Sequence, residues 1–418
     1  MENNSTINNK IPQLRFPGFT GEWQEKKLNE VFSRVTRKNA ENNQNVLTIS
    51  AQYGLISQLE FFKKSVASSD VTGYYLLHKG EFAYNKSSSQ GRPVGAIKPL
   101  RIYDKGVVST LYICFKCNNP EEIDFWEQYF DAGILDSEIL SIAQEGARNH
   151  GLLNISTGDF FGLNVILPTP PEMKKIAECL SSFDDVITAA ENELDSLKAH
   201  KKGLMQQLFP QPGATTPALR FPGFTGEWQE KPLSHFLHEH KTKSDGKCEV
   251  HSVSVTRGVI NQVEYLGRSF AASDTSKYNL AKPGDIIYTK SPTGAFPYGI
   301  VKQNKNPHNV IVSPLYAVYT PMNQYVGYIL DSFFESSVNT NNYLSSLIQK
   351  GAKNTIQISN DTFVSKSMCL PSNSAEQQKI AECLESLDSL IAAETKELEF
   401  LKIHKKGLMQ QLFPQLQK

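Results

Sequence analysis

The chain is written twice. The string LRFPGFTGEWQEK stands at residues 14–26 and again, unchanged, at 219–231. KIAECL recurs at 175–180 and 379–384, and HKKGLMQQLFPQ at 200–211 and 404–415. The offset is 204 or 205 residues throughout, so each half carries an arm, a middle and a helix in the same order. A period of about 200 residues is far longer than the roughly 20–50-residue units of solenoids. The chain is a duplicated module, and its fold must contain two copies of one design.

The middles correspond more loosely. GEFAYNKSSSQGRPVGAI (80–97) aligns with GDIIYTKSPTGAFPYGIV (284–301), VVSTLY (107–112) with IVSPLY (311–316), and EGARN (145–149) with KGAKN (350–354). Drift after duplication would spread over every segment, yet the arms and helices are spared. Identical ends beside unlike middles read as one scaffold contact made twice and two different things being recognised.

The helices carry a heptad seam. Apolar residues fall at Ile176, Leu180, Phe183, Ile187, Ala190, Leu194 and Leu197, and in the second copy at Ile380, Leu384, Leu387, Ile391, Leu398 and Leu401. Glu394 interrupts the second seam where the first has Ala190. Acidic residues lead (Asp184, Asp185, Glu191, Glu193), while Lys198, Lys201 and Lys202 gather near the end, in keeping with the helix dipole. Gly203 and Gly407 are expected to weaken the last turns before Pro210 and Pro414 stop each helix. Some 35 residues at 1.5 Å rise give a rod of about 50 Å, and each seam finds its nearest partner in the other. Heptad spacing alone does not separate a parallel from an antiparallel pair. The short linker QPGATTPA (211–218) favours the antiparallel one, because a parallel pair needs the whole second half to return to the same end.

The middles mix strands, expected at 81–84, 107–115, 163–167, 285–288 and 310–319, with helices at 122–130 and 324–334. The class is α+β, with two similar globular domains and two long helices related by an internal pseudo-twofold repeat. The divisions expected are a disordered polar N-terminus at 1–13, a first arm and domain at 14–171 and a first helix at 172–209. A linker at 210–218, a second arm and domain at 219–371 and a second helix at 372–414 complete the chain.

Composition excludes more than it assigns. Lys plus Arg number 43 and Asp plus Glu 43, so bulk charge does not make this a polybasic binder. No apolar run approaches membrane length and the start MENNSTINNK lacks a signal peptide's apolar stretch, so the expected location is the cytoplasm, with six reduced cysteines. No G-x-G-x-x-G follows a strand, and G-x-x-x-x-G-K-[ST], HExxH and GxSxG are all missing from the sequence. Cys114 and Cys117 form one C-x-x-C without a second pair, which reads as packed thiols at a strand end; Cys179 and Cys383 read as small buried hydrophobes. His235, His238 and His240 read as a solvated charged loop. The expectation is a non-catalytic chain that binds neither metal nor cofactor.

What remains is polar loop chemistry suited to a DNA groove. In the first middle the candidates are Arg34, Arg37 and Lys38; Lys86, Ser87, Ser88, Ser89, Gln90 and Arg92; and Arg148 with Asn149. In the second they are Lys241, Lys243 and Lys247; Lys290, Ser291, Thr293 and Tyr298; and Lys353 with Asn354. Arg and Lys address guanine edges or phosphates, and Asn and Gln address adenine edges. Residues 234–371 hold 13 basic and 9 acidic side chains, a net of +4, whereas 29–171 hold 13 and 15, a net of −2. A DNA face on the first middle is therefore a local patch.

These residues are familiar as a set. LRFPGFTGEW, a variable region, LPTPPEMKKIAECLSSFDDVI and LKAHKKGLMQQLFP, with the set repeated, resemble the specificity subunit of a type I restriction-modification enzyme from about Leu14 to Pro414. The resemblance implies that each middle is a target recognition domain reading one half of a bipartite, asymmetric site on double-stranded DNA. It implies that the two helices pack antiparallel as a coiled coil and set the spacer, and that arms and helices hold two modification subunits. Those subunits bind S-adenosylmethionine and methylate adenine; restriction subunits then join and use ATP with Mg. Two other readings compete: a structural scaffold that does not read DNA, and a self-contained DNA-modifying enzyme with an unrecognised active site.

Overall fold

The computed structural model describes residues 10–50, 53–62, 68, 70–88, 92–143, 151–211, 213–244, 246–350 and 356–414. Residues 1–9 of the expected N-terminal tail lie outside these. The chain forms two compact units, one of Met1–Glu191 with Lys396–Lys418, the other of Asn192–Thr395.

The first unit is built on a four-stranded antiparallel sheet in the order Phe32–Arg34, Ile113–Cys117, Phe82–Asn85, Ala96–Pro99. Phe82 stands opposite Phe115 in register, and their rings stack with centroids 5.4 Å apart. The helix Ile123–Asp131 covers this face with Phe125, Trp126, Tyr129 and Phe130, all buried. Burial of each such ring contributes about 1.5–3 kcal/mol. A smaller layer, made of the hairpin Leu47–Ser50/Gly54–Ser57 and the pair Tyr75–His78/Lys105–Val108, closes around Leu47, Leu55, Leu77 and Val108. The far end of the chain completes the main core. Met409, Leu412 and Phe413 are buried in it, with the Phe413 ring edge-on to Trp23 at 6.3 Å.

The second unit repeats the plan with Leu237–Glu239, Ala317–Pro321, Ile286–Thr289 and Ile300–Gln303, covered by the helix Gln324–Glu335. Asn323 caps that helix by accepting from the Val326 amide. Here the completing residues are Met205, Leu208 and Phe209 from the end of the first long helix.

Each unit thus takes the start of its own copy's long helix and the end of the other copy's. The helices run Pro170–Leu208 and Ser374–Leu412, 39 residues each, or about 58 Å. In the first unit Asp184 pairs with Lys405 at 2.5 Å and Glu191 with Lys402 at 2.6 Å. Partner numbers fall as residue numbers rise, so the two segments are antiparallel. Of the seam residues, Ile176, Leu180, Ile187, Leu194, Ile380, Leu384 and Leu398 are buried, and Phe183, Leu197, Leu387, Ile391 and Leu401 are half-buried. The Phe183 ring stacks on His404 at 5.4 Å.

Three expectations are corrected. The strands expected at 107–115 and 310–319 are each two strands, Lys105–Val108 with Ile113–Cys117 and Val310–Val312 with Ala317–Pro321. A tight turn separates them in each copy: the Tyr112 amide donates to the Ser109 carbonyl and Tyr316 to Ser313, both at 3.0 Å. The long helices run through Gly203 and Gly407 without a break, because the buried Met205, Leu208, Met409 and Leu412 of the last turns outweigh glycine's weak helix preference. The histidine segment is not a loop. His235 lies on the short helix Leu233–Phe236, and His238 on the strand Leu237–Glu239, whose ladder to Ala317–Pro321 overrides its charge.

Candidate nucleic-acid interface

In the first unit the strand Phe82–Asn85 delivers the chain into the polar loop that begins at Lys86. The Leu153 amide donates to the Lys86 carbonyl at 3.0 Å and the Ser88 amide to Gly151 at 2.6 Å, with Ser87 opposite Leu152. This short ladder sets the 86–88 segment beside residues 151–153. Ser87 and Ser88 are exposed; the half-buried Lys86 reaches the Ile155 carbonyl at 3.4 Å. Arg92 leaves the loop's far side and meets Asp131 at 3.3 Å. Gly95 closes the turn at φ 84°, where a Cβ would stand 2.0 Å from the Asn85 carbonyl oxygen, so no larger residue fits. Gln90, Arg148 and Asn149, like Ser89, lie outside the described residues.

Arg34, Arg37 and Lys38 belong elsewhere. Arg34 is exposed at the end of an edge strand. Arg37 forms a two-pronged pair with Glu81 at 3.0 and 3.1 Å, and that hydrogen bonding holds its guanidinium above the ordinary value. Lys38 donates to the Gly73 carbonyl at 2.7 Å and lies over the Tyr75 ring. Glu81 precedes the strand that ends before Lys86, so Arg37's partner and Lys86 stand about 16 Å apart along the backbone. The sequence placed Arg34, Arg37 and Lys38 in one loop and Lys86 in another; Arg34 instead ends a strand, and Arg37 and Lys38 spend hydrogen bonds within the fold.

The second unit has the same two places. Lys290, Ser291 and Thr293 are exposed on the loop after Ile286–Thr289. Thr293 and Phe296 exchange backbone bonds of 3.0 and 2.8 Å across it, and the half-buried Tyr298 gives its carbonyl to the Tyr288 hydroxyl at 2.9 Å. Gly299 repeats the role of Gly95, at φ 109° with the Thr289 carbonyl 2.1 Å from a would-be Cβ. At the other place His240 bonds Asp285 at 2.9 Å, where the first unit has Arg37 and Glu81. Lys243 is held by Asn279 at 2.6 Å, while Lys241 is exposed. Lys353 and Asn354 lie outside the described residues.

The unlike loops sit on like supports. Arg15 grips Glu172 with two bonds of 2.7 and 2.8 Å, and Arg220 grips Glu376 at 2.6 and 2.8 Å. The Leu14 amide donates to Gln411 and the Leu219 amide to Gln207, each at 2.9 Å. The repeated arm therefore ties the start of one long helix to the end of the other, which explains its verbatim repetition.

Sequence reasoning missed two groups. Lys201, read from the sequence only as suiting the helix dipole, and its counterpart Lys405 continue the seam four residues beyond Leu197 and Leu401, and that spacing was the available signal. Exposed apolar residues, Phe61 and Phe62 in one unit and Tyr265 and Phe270 in the other, follow equivalent hairpins, with Arg268 4.5 Å over the Phe270 ring. Exposed rings of this kind can stack on bases.

Burial pushes the Cys114 thiol up to about 12 and Cys117 to about 11, as packed neutral thiols require. Cys179 and Cys383 are half-buried rather than buried. Among the described residues no group of three or more His, Cys, Asp or Glu is placed to hold a metal ion, and no helix is long and apolar enough to cross a membrane.

No protein-family model matches the chain. A specificity subunit of the type I restriction enzyme MjaVIII from Methanocaldococcus jannaschii is 23% identical over 290 residues, which span 64% of this chain and 65% of that protein's length. The crystal structure of the S subunit of a type I restriction-modification system from M. genitalium matches 97% of this chain and 100% of its own, at 13% identity and a TM-score of 0.58. The chain has the fold of type I restriction-modification specificity subunits, and with one of them it shares a relationship in sequence as well.

Proposed function

We propose that the chain reads DNA sequence as the specificity subunit of a type I restriction-modification complex and performs no chemistry itself. The observation that carries this reading is the pairing of duplicated supports with unlike loops. The arginine–glutamate grip of the arm on the helix is the same in both units, whereas Lys86-Ser87-Ser88 in one stands where Lys290-Ser291-Pro292 stands in the other. A scaffold without a reading role has no use for that division.

In this reading each unit addresses one half of a bipartite, asymmetric site on double-stranded DNA. The loops starting at Lys86 and Lys290, with Arg92, meet base edges and phosphates. The antiparallel helices set the unread spacer. Arms and helices dock two modification subunits, which supply S-adenosylmethionine and methylate adenine, and restriction subunits add ATP- and Mg-dependent cleavage in the cytoplasm. The likeness to the MjaVIII specificity subunit supports this assignment.

The test is a methylome. The chain is expressed with its modification subunit in a methylation-free host, and N6-methyladenine is mapped by single-molecule sequencing against the modification subunit alone. A bipartite motif that needs this chain is the expected result. A complex that copurifies yet leaves no motif moves DNA reading to another subunit.

A further inference from the structure

The two units treat one lysine differently. In the first, Lys98 on the strand Ala96–Pro99 is buried and neutralised by Asp131 at 2.5 Å and Glu127 at 3.7 Å. Its counterpart Lys302, on Ile300–Gln303, is 8% exposed, and among the described residues its ammonium has neither a hydrogen bond nor an ion pair. The sequence shows why. Matching the cover helices on Gln128 and Tyr328, which bond the equivalent Asp184 and Asp388, puts Gly327 where the first copy has Glu127, and a Cβ there would meet Gln303 Nε2 at 2.6 Å. Asp331 stands where the first has Asp131, but it is already engaged by Lys305 and by the Gln303 amide, both at 2.8 Å.

Lys302 opens into a cleft of about 370 Å³ within the second unit. The carboxylates on its wall are committed: Asp388 and Glu335 to Lys201, each at 2.5 Å, and Asp331 to Lys305. Arg257, from the turn joining His251–Ser254 to Gly258–Asn261, also lines the cleft, and among the described residues its guanidinium meets the Tyr265 ring at 5.9 Å and no carboxylate. Four cations against three carboxylates leave the lining at +1, with the surplus at Lys302 and Arg257. An ammonium at the wall of a cleft without a protein partner gains a charge-assisted hydrogen bond from an incoming oxyanion. The cleft also lies away from the polar loop. Ile300 pairs with Thr289 beside that loop, and the strand then runs toward Lys302 and the 304–306 segment.

We propose that this cleft binds a phosphate group, held by Lys302 and Arg257 with the Thr256 hydroxyl beside them. An ammonium from one strand with a guanidinium and a hydroxyl from a facing turn suits a tetrahedral oxyanion better than a planar carboxylate. The inference does not depend on the DNA-reading assignment. The phosphate comes either from a small free anion or from a nucleic-acid backbone.

The experiment titrates the full chain with inorganic phosphate by calorimetry, and separately with a random-sequence duplex at several salt concentrations. Lys302→Met keeps the buried apolar stem, and the exposed Arg257→Ala guards against loss through misfolding. Phosphate binding that falls about tenfold or more in both variants, with duplex affinity unchanged, supports a free-anion site. Duplex affinity that falls in both variants, with a salt slope reduced by about one, supports a backbone site. Equal binding of each probe by wild type and both variants, or binding of neither probe by wild type, overturns the proposal.

Discussion

The Lys201 ammonium lies 2.5 Å from the Asp388 carboxylate, and the same pair recurs 204 residues round the repeat as Lys405 with Asp184, also at 2.5 Å. Each pair joins the late part of one long helix to the early part of the other, inside one compact unit. A helix from the cover of the sheet supports each pair: Gln128 donates to Asp184 at 2.7 Å, and the Tyr328 hydroxyl to Asp388 at 2.5 Å. Lys201 is the more deeply placed cation, its side chain 7% exposed, and Glu335 is its second partner.

The two pairs differ in weight, and mutation should show it. Lys201→Met strands two carboxylates and is expected to lower the unfolding free energy by about 2–3 kcal/mol, below the fully buried range because Asp388 is 28% exposed. Lys405→Met leaves Asp184 45% exposed and should cost about 1 kcal/mol. Urea midpoints measure both, and equal losses would contradict the burial difference.

Stability should fall at both ends of the pH scale. Burial raises the Asp388 carboxyl, but hydrogen bonds from Lys201 and Tyr328 outweigh it and hold the group below its ordinary 3.8. Its contribution is therefore present above that value and lost as pH drops through the depressed one. Burial likewise lowers Lys201, but Asp388 and Glu335 raise it past 10.5 overall. That contribution is whole below 10.5 and lost as pH climbs through the raised value. In Lys201→Met, melting temperatures between about pH 2 and pH 12 should show a flatter curve at both ends.

The arms should behave as equals. Arg15→Ala and Arg220→Ala each remove a two-pronged grip on a glutamate that is 1% exposed, so each should lower the thermal midpoint by a similar amount. Lysine at either position should restore little, because an ammonium cannot make both bonds in one plane. A marked inequality between the two sites would mean that the verbatim arms do unequal jobs.

Loop substitutions should act on one half-site at a time. Arg92→Ala is expected to relax or weaken the half-motif read by the first unit and Lys290→Ala that of the second, each by about 1–3 kcal/mol if a base contact is lost. Methylome motifs from the two variants check this. Relaxation of both halves by one substitution would argue against separate readers.

Helix length should set the spacer. Seven residues added to each long helix preserve the heptad phase and add about 10 Å, or about three base pairs. The methylated motif should then keep both half-sites and gain spacer bases; an unchanged spacer would mean that another element fixes the distance.

The repeat, the α+β class, the helix seam and the resemblance were all open to reading from the sequence, because each depends on local periodicity or on identity between segments. Ile176, Leu180, Ile380 and Leu384 come out buried as their spacing requires. The strand ends were less legible, since the Ser-Thr-Leu-Tyr and Ser-Pro-Leu-Tyr turns sit inside apolar runs that read as continuous strands. The candidate interface was legible as a list of loops and not as a surface. Arg37 and Lys86 read alike as exposed cations until Glu81 claims one of them.

By itself the sequence determined that two copies of one module exist and which parts of each copy are held fixed. The tertiary structure decided that each compact unit is completed by the other copy's helix end. It also decided that Lys201 and Lys405 are seam residues, and that Lys302 lacks the partners Lys98 has. The reason is physical: periodicity is a property of neighbours along the chain, whereas the partner of a buried charge comes from segments as far as 221 residues away, which only packing brings within 3 Å.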